Sequence, residues 1–257
     1  MRKGFNGIML STLLSAFLAG NVRQALLDLI LIIPVVLLSL SLHEAAHAFV
    51  AYKMGDRTAF NLGRVTINPI KHLDPIGSLV MLVVGYGWAK PVPINPRNFR
   101  DPKKGMALTA IAGPVTNLLL GTVGVLCHVL LIFIARATDL MLFIDPNTYY
   151  QLSENVTLVN AFLLLMRFFT YFAYMNFVLA IFNLIPVPPF DGSRFFSMFL
   201  PTRWYFAIMR YERYYLIIVI AISIVCSRVF HFSPFGALGE LLADGVMSLF
   251  FRIFMGA

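Results

Sequence analysis

Apolar residues run almost unbroken through four stretches of the chain, residues 25–53, 106–135, 158–186 and 211–231. Each reaches the ~20 residues of helix that cross a bilayer. Two shorter stretches are marginal. Residues 7–20 predict an interfacial helix or a short span, and residues 235–256, which carry Glu240, Asp244 and Arg252, predict a helix that lies on the membrane or crosses it. A further apolar patch, Ile76 to Trp88, is too short to span and is interrupted by Gly77, Gly85 and Gly87. It predicts a re-entrant or β-hairpin segment, which membrane depth tolerates only under a cover of protein. The expected architecture is an all-α polytopic membrane protein with about four to six transmembrane helices. An N-terminal interfacial or short membrane segment (1–24) precedes a core (25–200) and C-terminal membrane helices (201–257).

Composition narrows the class further. The chain has 257 residues, of which 59% are apolar and only 12% charged, so no stretch is polar enough to build a soluble domain. The basic start of MRKGFNGIMLSTLLSAFLAG resembles a signal peptide, but another apolar run follows at once, and a retained segment is the expectation. Net charge is +8, yet the basic residues sit in loops between apolar runs. That placement is a topology signal rather than a phosphate-binding face, and no nucleic-acid partner is expected. The 53–104 loop holds Lys53, Arg57, Arg64, Lys71, Lys90, Arg97, Arg100, Lys103 and Lys104 against three aspartates, whereas the 136–157 loop holds Arg136 against Asp139, Asp145 and Glu154. The 187–213 loop returns to arginine, with Arg194, Arg203, Arg210 and Arg213. By the positive-inside rule the first and third loops are cytoplasmic and the second is external. Cys127 and Cys226 lie in apolar runs without CxxC spacing and read as small buried hydrophobes.

The first apolar run ends LSLSLHEAAHAFVAYKM. On a helix, His43 and His47 stand one turn apart on one face, so both imidazoles reach one ion, while Glu44 is rotated away and is free to act on a bound water. Zinc lowers the pKa of such a water to about 7, and the carboxylate takes its proton and passes it to the leaving amine. Polar helix ends at an interface carry such residues without chemistry, but ionisable groups inside an apolar helix mark function by default. A catalytic zinc needs a third protein ligand, and Asp191 is the candidate. NLIPVPPFDG comes directly off the third span, its prolines end the helix, and Gly192 relieves the turn beyond. His72 in the loop, His128 in mid-helix and His231 near the external face read as structural. Asn117 and Asn183 are amides in apolar helices that must find partners, and either suits an oxyanion or a substrate backbone. The run VTINPIKHLDPIGSLV suits an extended edge for an unwound substrate.

HEAAH, GRVTINPIKHLDPIGSL, GWAKPVPINPRN, AGPVTNLLLG and FNLIPVPPFDG occur in that order. Together they resemble the site-2 protease family of intramembrane zinc metalloproteases, in its compact prokaryotic branch without a PDZ domain. The resemblance covers residues 40–195 and makes 25–200 a metalloprotease core. It implies His43, His47 and Asp191 as ligands of one Zn2+ and Glu44 as the general base. It also places Asn183 near the active site and has Gly113, Pro114 and Asn117 shape the neighbouring helix. The last of these motifs runs on as FDGSR where the family more often has LDGG, which keeps Asp191 and Gly192. The implied partners are the lipid bilayer and a membrane-protein substrate with a transmembrane helix. The implied place is the cell membrane, with the active site toward the cytoplasm. Two other classes compete. A metal transporter would string its ligands along a path, whereas these cluster at one depth. A non-catalytic membrane partner has no use for Glu44.

Overall fold

The computed structural model describes residues 21–77, 89–137, 156–201, 204, 211–229 and 234–255. The stretch 7–20, most of the glycine-spaced patch, most of the 136–157 loop and His231 lie outside the described residues. Among the described residues all regular structure is helical. Three long helices carry the first three apolar runs: α1 (Val22–Lys53), α4 (Pro102–Ala137) and α5 (Val156–Asn183). The short helices α2 (Thr58–Asn61) and α3 (Pro69–His72) lie between the first two. Beyond α5 come α6 (Asp191–Phe196), α7 (Glu212–Val229) and α8 (Pro234–Met255).

Within α1, α4 and α5, the segments Leu26–Lys53, Pro102–Ala137 and Val159–Asn183 are long and apolar enough to cross a membrane. No more than 33% of the most apolar part of each is buried inside the protein, and side chains such as Ile30, Leu119 and Phe133 face outward. A helix that is apolar all round needs an apolar solvent, which the bilayer supplies. At 1.5 Å per residue the 36 residues of α4 extend about 54 Å, well beyond a hydrocarbon core of about 30 Å. That length leaves room for a polar first turn, with Lys103 and Lys104, outside such a core. Asp101 caps that turn, its carboxylate accepting from the Lys104 N–H at 3.1 Å, and Pro102 needs no N–H partner there.

The spans meet along stripes four residues apart, the spacing of one helix face. Ile32, Val36 and Leu40 of α1 pack on Tyr171, Met175 and Leu179 of α5. Val125 and Val129 of α4 pack on Ala173 and Phe177 of α5, and α8 covers this seam with Val246, Met247, Phe250 and Phe251. Gly121 makes the second contact possible, since a Cβ there would stand 2.7 Å from the Phe177 ring.

The basic loop after α1 is a tied cap. Gly55 takes φ +111°, a left-handed turn that ends α1 and that side chains disfavour. Asp56, fully buried, accepts from the Thr58 N–H at 3.0 Å, the Asn98 amide at 2.7 Å and the Asn95 N–H at 2.7 Å, as well as from the Thr58 hydroxyl. Burial works to raise the Asp56 carboxyl, but these hydrogen bonds outweigh it and hold it below its ordinary value. The Arg64 guanidinium donates to the Lys90 carbonyl at 2.5 Å, and the Lys90 N–H donates to the His72 carbonyl at 2.8 Å. Residues that are distant in the loop are thus fastened to the C-terminal end of α1.

Candidate metal centre

Three elements converge where α1 nears its last turns. α1 presents His43 and His47 on one face, both buried. α5 ends at Asn183, and the chain turns through Pro186 to Pro189, with Phe190 N–H bonded to the Val187 carbonyl at 3.1 Å. This turn sets Asp191 at the start of α6, pointing back at the histidines. Gly192 is needed for room rather than for a left-handed turn. A Cβ on it would stand 2.3 Å from the Leu184 carbonyl oxygen and 2.7 Å from that of Ile185. Asp191 reaches the site only because the next residue lies flat on the end of α5.

The resulting triangle is tight. His43 Nε2 and His47 Nε2 are 3.0 Å apart, and Asp191 Oδ2 lies 3.1 Å from the first and 3.2 Å from the second. These three are the group of ligand-type atoms among the described residues that one metal ion could join. The outer nitrogens set the chemistry of the inner ones. His47 Nδ1 faces the Thr109 carbonyl oxygen at 2.7 Å. A carbonyl only accepts, so Nδ1 carries a proton, and in the neutral ring Nε2 presents the lone pair. His43 Nδ1 bonds to the Asn117 carboxamide oxygen. Three acceptor atoms at such distances repel one another unless a proton or a metal ion lies among them. Two imidazoles and a carboxylate, each imidazole tethered through its second nitrogen, fit a zinc ion. Tetrahedral bonds of about 2.0–2.1 Å set neighbouring ligand atoms about 3.3–3.4 Å apart, slightly wider than the spacing observed.

The wall opposite the histidines is α4. Thr109, Gly113 and Asn117 follow at four-residue intervals and face them. At Gly113 a Cβ would stand 2.5 Å from His47 Nε2 and 2.6 Å from His43 Nε2, so only glycine leaves the space among the ligand atoms clear. Pro114 lacks the N–H that would close on the Ala110 carbonyl, which breaks the ladder one residue past Thr109.

Glu44 follows His43 on the helix and is half-buried. His72 is buried close by, its Nε2–H donating to the Thr66 carbonyl at 2.7 Å. Burial holds His72 below its ordinary pKa against the pull of that carbonyl, with the Arg64 charge adding to the fall and Glu44 opposing it. His128 is taken up between helices, its ring facing the Met166 carbonyl and the Thr170 hydroxyl, each at 3.2 Å. Of the two amides singled out from the sequence, Asn117 joins the site and Asn183 donates to the Leu179 carbonyl of its own helix at 2.9 Å. A third amide, Asn176, was not anticipated. It is fully buried, accepts from Asn117 Nδ2 at 2.6 Å and donates to Ser39 Oγ and the Phe172 carbonyl, both at 2.8 Å. The only hint in the sequence was an amide in an apolar span, which must find partners.

The chain matches the family model of Peptidase family M50 over residues 31–226. It is 35% identical over 218 residues to the "Putative zinc metalloprotease YwhC" of Bacillus subtilis (strain 168), an alignment covering 85% of this chain and 90% of that protein. It is 28% identical over 168 residues to the "Putative zinc metalloprotease Rip2" of Mycolicibacterium smegmatis, which covers 63% of this chain and 54% of that one. The Rip2 protein of Mycobacterium tuberculosis (strain ATCC 25618 / H37Rv) is 27% identical over 184 residues, 69% of this chain and 61% of its own. No solved structure matches. With helices suited to a membrane and a donor set suited to zinc, the chain belongs to peptidase family M50, the site-2 protease family of zinc metalloproteases.

Proposed function

We propose that this protein is an intramembrane endopeptidase that hydrolyses peptide bonds in or next to transmembrane segments of membrane-protein substrates, near the cytoplasmic face. His43, His47 and Asp191 hold one zinc ion, and Glu44 is the general base. The observation that carries this reading is the convergence of His43 Nε2, His47 Nε2 and Asp191 Oδ2 within 3.0–3.2 Å, at the end of a helix suited to cross a membrane. Bound there, zinc supplies Lewis acidity, which activates water near neutral pH and polarises the scissile carbonyl.

The side chains do the rest. Glu44 accepts the proton of the attacking water and returns it to the leaving amine, which otherwise departs as a poor anion. Thr109 and Asn117 act on the histidines, fixing which ring nitrogen bears the proton. Asn117 is therefore a positioning residue in this scheme, with Oδ1 and one N–H engaged inside the protein. The resemblance places Asn183 near the active site, and its half-buried side chain suits a catalytic part through contact with a substrate backbone. The location follows from α1: His47 and His43 precede Lys53 by six and ten residues, about 9 and 15 Å along a helix. Lys53 begins the basic loop that the positive-inside rule assigns to the cytoplasm. A bundle of about four to six spans with a re-entrant or β-hairpin segment before α4 is the frame this reading assumes.

The test is a purified, bilayer-reconstituted protein offered membrane-helix peptides. Cleavage stopped by a chelator and restored by zinc supports the proposal. Cleavage indifferent to metal removal would sink it.

A further inference from the structure

We infer that Asn176 is a positioning residue of the metal site, and that the Phe172 backbone carbonyl, acting through Asn176 and Asn117, dictates which nitrogen of His43 is free to bind metal. The inference rests on the reading of His43 as a zinc ligand. Four buried side chains on three helices form one hydrogen-bonded chain: Ser39 and His43 on α1, Asn117 on α4 and Asn176 on α5.

Asparagine amides and histidine tautomers are ordinarily ambiguous, because O and N or the two ring nitrogens exchange roles without changing shape. Here one end of the chain is not ambiguous. The Phe172 carbonyl can only accept, so the Asn176 atom 2.8 Å from it must be Nδ2. The second hydrogen of that amide points to Ser39 Oγ at 2.8 Å. Asn176 must then turn Oδ1 to Asn117, and the Asn117 atom facing it at 2.6 Å must be Nδ2. That leaves Asn117 Oδ1 facing His43, so the His43 nitrogen bonded to it, Nδ1, carries the proton. In the neutral ring Nε2, turned toward His47 and Asp191, then keeps its lone pair. Each link follows from the one before, and the sequence of choices starts at a main-chain oxygen that cannot invert. His47 reaches the same state in one step, from the Thr109 carbonyl. A neutral histidine side chain in water favours the opposite tautomer, with the proton on Nε2, so the relay works against an intrinsic preference.

The experiment is zinc affinity by chelator competition on the full chain in detergent, with thermal melting alongside. The parent binds zinc and His43→Ala loses it; if neither holds, the metal reading itself has failed, independently of the relay. Given a parent that binds, Asn176→Leu removes the acceptor that holds Asn117 and frees that amide to invert. It is expected to weaken zinc by up to the roughly ten- to hundredfold that loss of the direct outer partner of a ligating histidine, here Asn117, costs. Ser39→Ala leaves the Phe172 carbonyl in command and is expected to bind zinc as the parent does. A purely structural role for Asn176 moves the melting temperature and leaves the zinc affinity of the folded protein unchanged, which overturns the inference. A Ser39→Ala loss equal to that of Asn176→Leu overturns the assignment to Phe172. Should Asn176→Leu not fold, nitrogen-15 shifts of His43 in the zinc-free parent decide, at a pH where the ring is neutral. A protonated Nδ1 supports the relay and a protonated Nε2 refutes it.

Discussion

Replacing Gly113 by alanine adds one methyl group to the helix wall facing the histidines. That Cβ would stand 2.5 Å from His43 Cε1, 2.5 Å from His47 Nε2 and 2.6 Å from His43 Nε2. Ordinary contact begins near 3.4 Å, so one ring or the helix must give by close to 0.9 Å, the difference between 3.4 and 2.5 Å. Metal-ligand distances tolerate only about 0.2 Å. Fold stability responds far less. Overpacking costs about 1–3 kcal/mol, and alanine returns about 1 kcal/mol of helix propensity over glycine. Gly113→Ala is therefore expected to lose zinc affinity by about a hundredfold or more, roughly 2.8 kcal/mol, while melting within a few degrees of the parent. Gly121→Ala is the control: its Cβ would stand 2.7 Å from the Phe177 ring, far from any ligand, so it is expected to lower stability and keep zinc. The assay pairs chelator competition with a thermal melt followed by circular dichroism. A Gly113→Ala protein that binds zinc as tightly as the parent refutes the reasoning, because the space among the ligand atoms would then not depend on that glycine.

Other outcomes follow from the same geometry. Gly192→Ala drives a Cβ against the Leu184 and Ile185 carbonyls, which cannot rotate aside, so Asp191 is displaced and zinc content falls; unchanged metal content would contradict this. Asp56→Asn breaks up the carboxylate's set of hydrogen bonds to Thr58, Asn95 and Asn98 and is expected to cost about 1–3 kcal/mol at neutral pH. The Asp56 carboxyl is held below its ordinary value, so its contribution is fully present above the unfolded pKa of about 3.9. It is lost as pH falls through the lower folded value, and the gap between variant and parent closes only in that acid window, as urea melts across pH would show. Thr109 serves the site through its backbone, so Thr109→Ala is expected to keep zinc affinity; a large loss would shift the weight to its hydroxyl.

The long helices were legible because unbroken apolar runs have one solution in a bilayer. HEAAH was legible because helical spacing alone puts His43 and His47 on one face. Asp191 could be nominated from the prolines that end its helix, but its arrival needed the fold. What stayed hidden depends on contacts between helices. Asn176 and Ser39 are single polar residues in apolar runs, and nothing in one dimension pairs them with Asn117. Thr109 contributes a carbonyl, which every residue has. Gly192 looked like a turn residue, whereas the constraint is the nearness of the Leu184 oxygen. The loop holding Asp56 reads as basic and irregular, yet its buried carboxylate gathers donors from positions up to 42 residues away.

The central claim is that Glu44 moves the proton and the three neighbouring side chains hold the metal. Glu44→Gln separates these roles, since glutamine keeps the shape and loses the base. Zinc content and cleavage of a membrane-helix peptide should be measured on the same reconstituted samples. The account predicts parental zinc content with cleavage reduced about 10²- to 10⁴-fold. A Glu44→Gln protein that carries zinc and cleaves at the parental rate would contradict it.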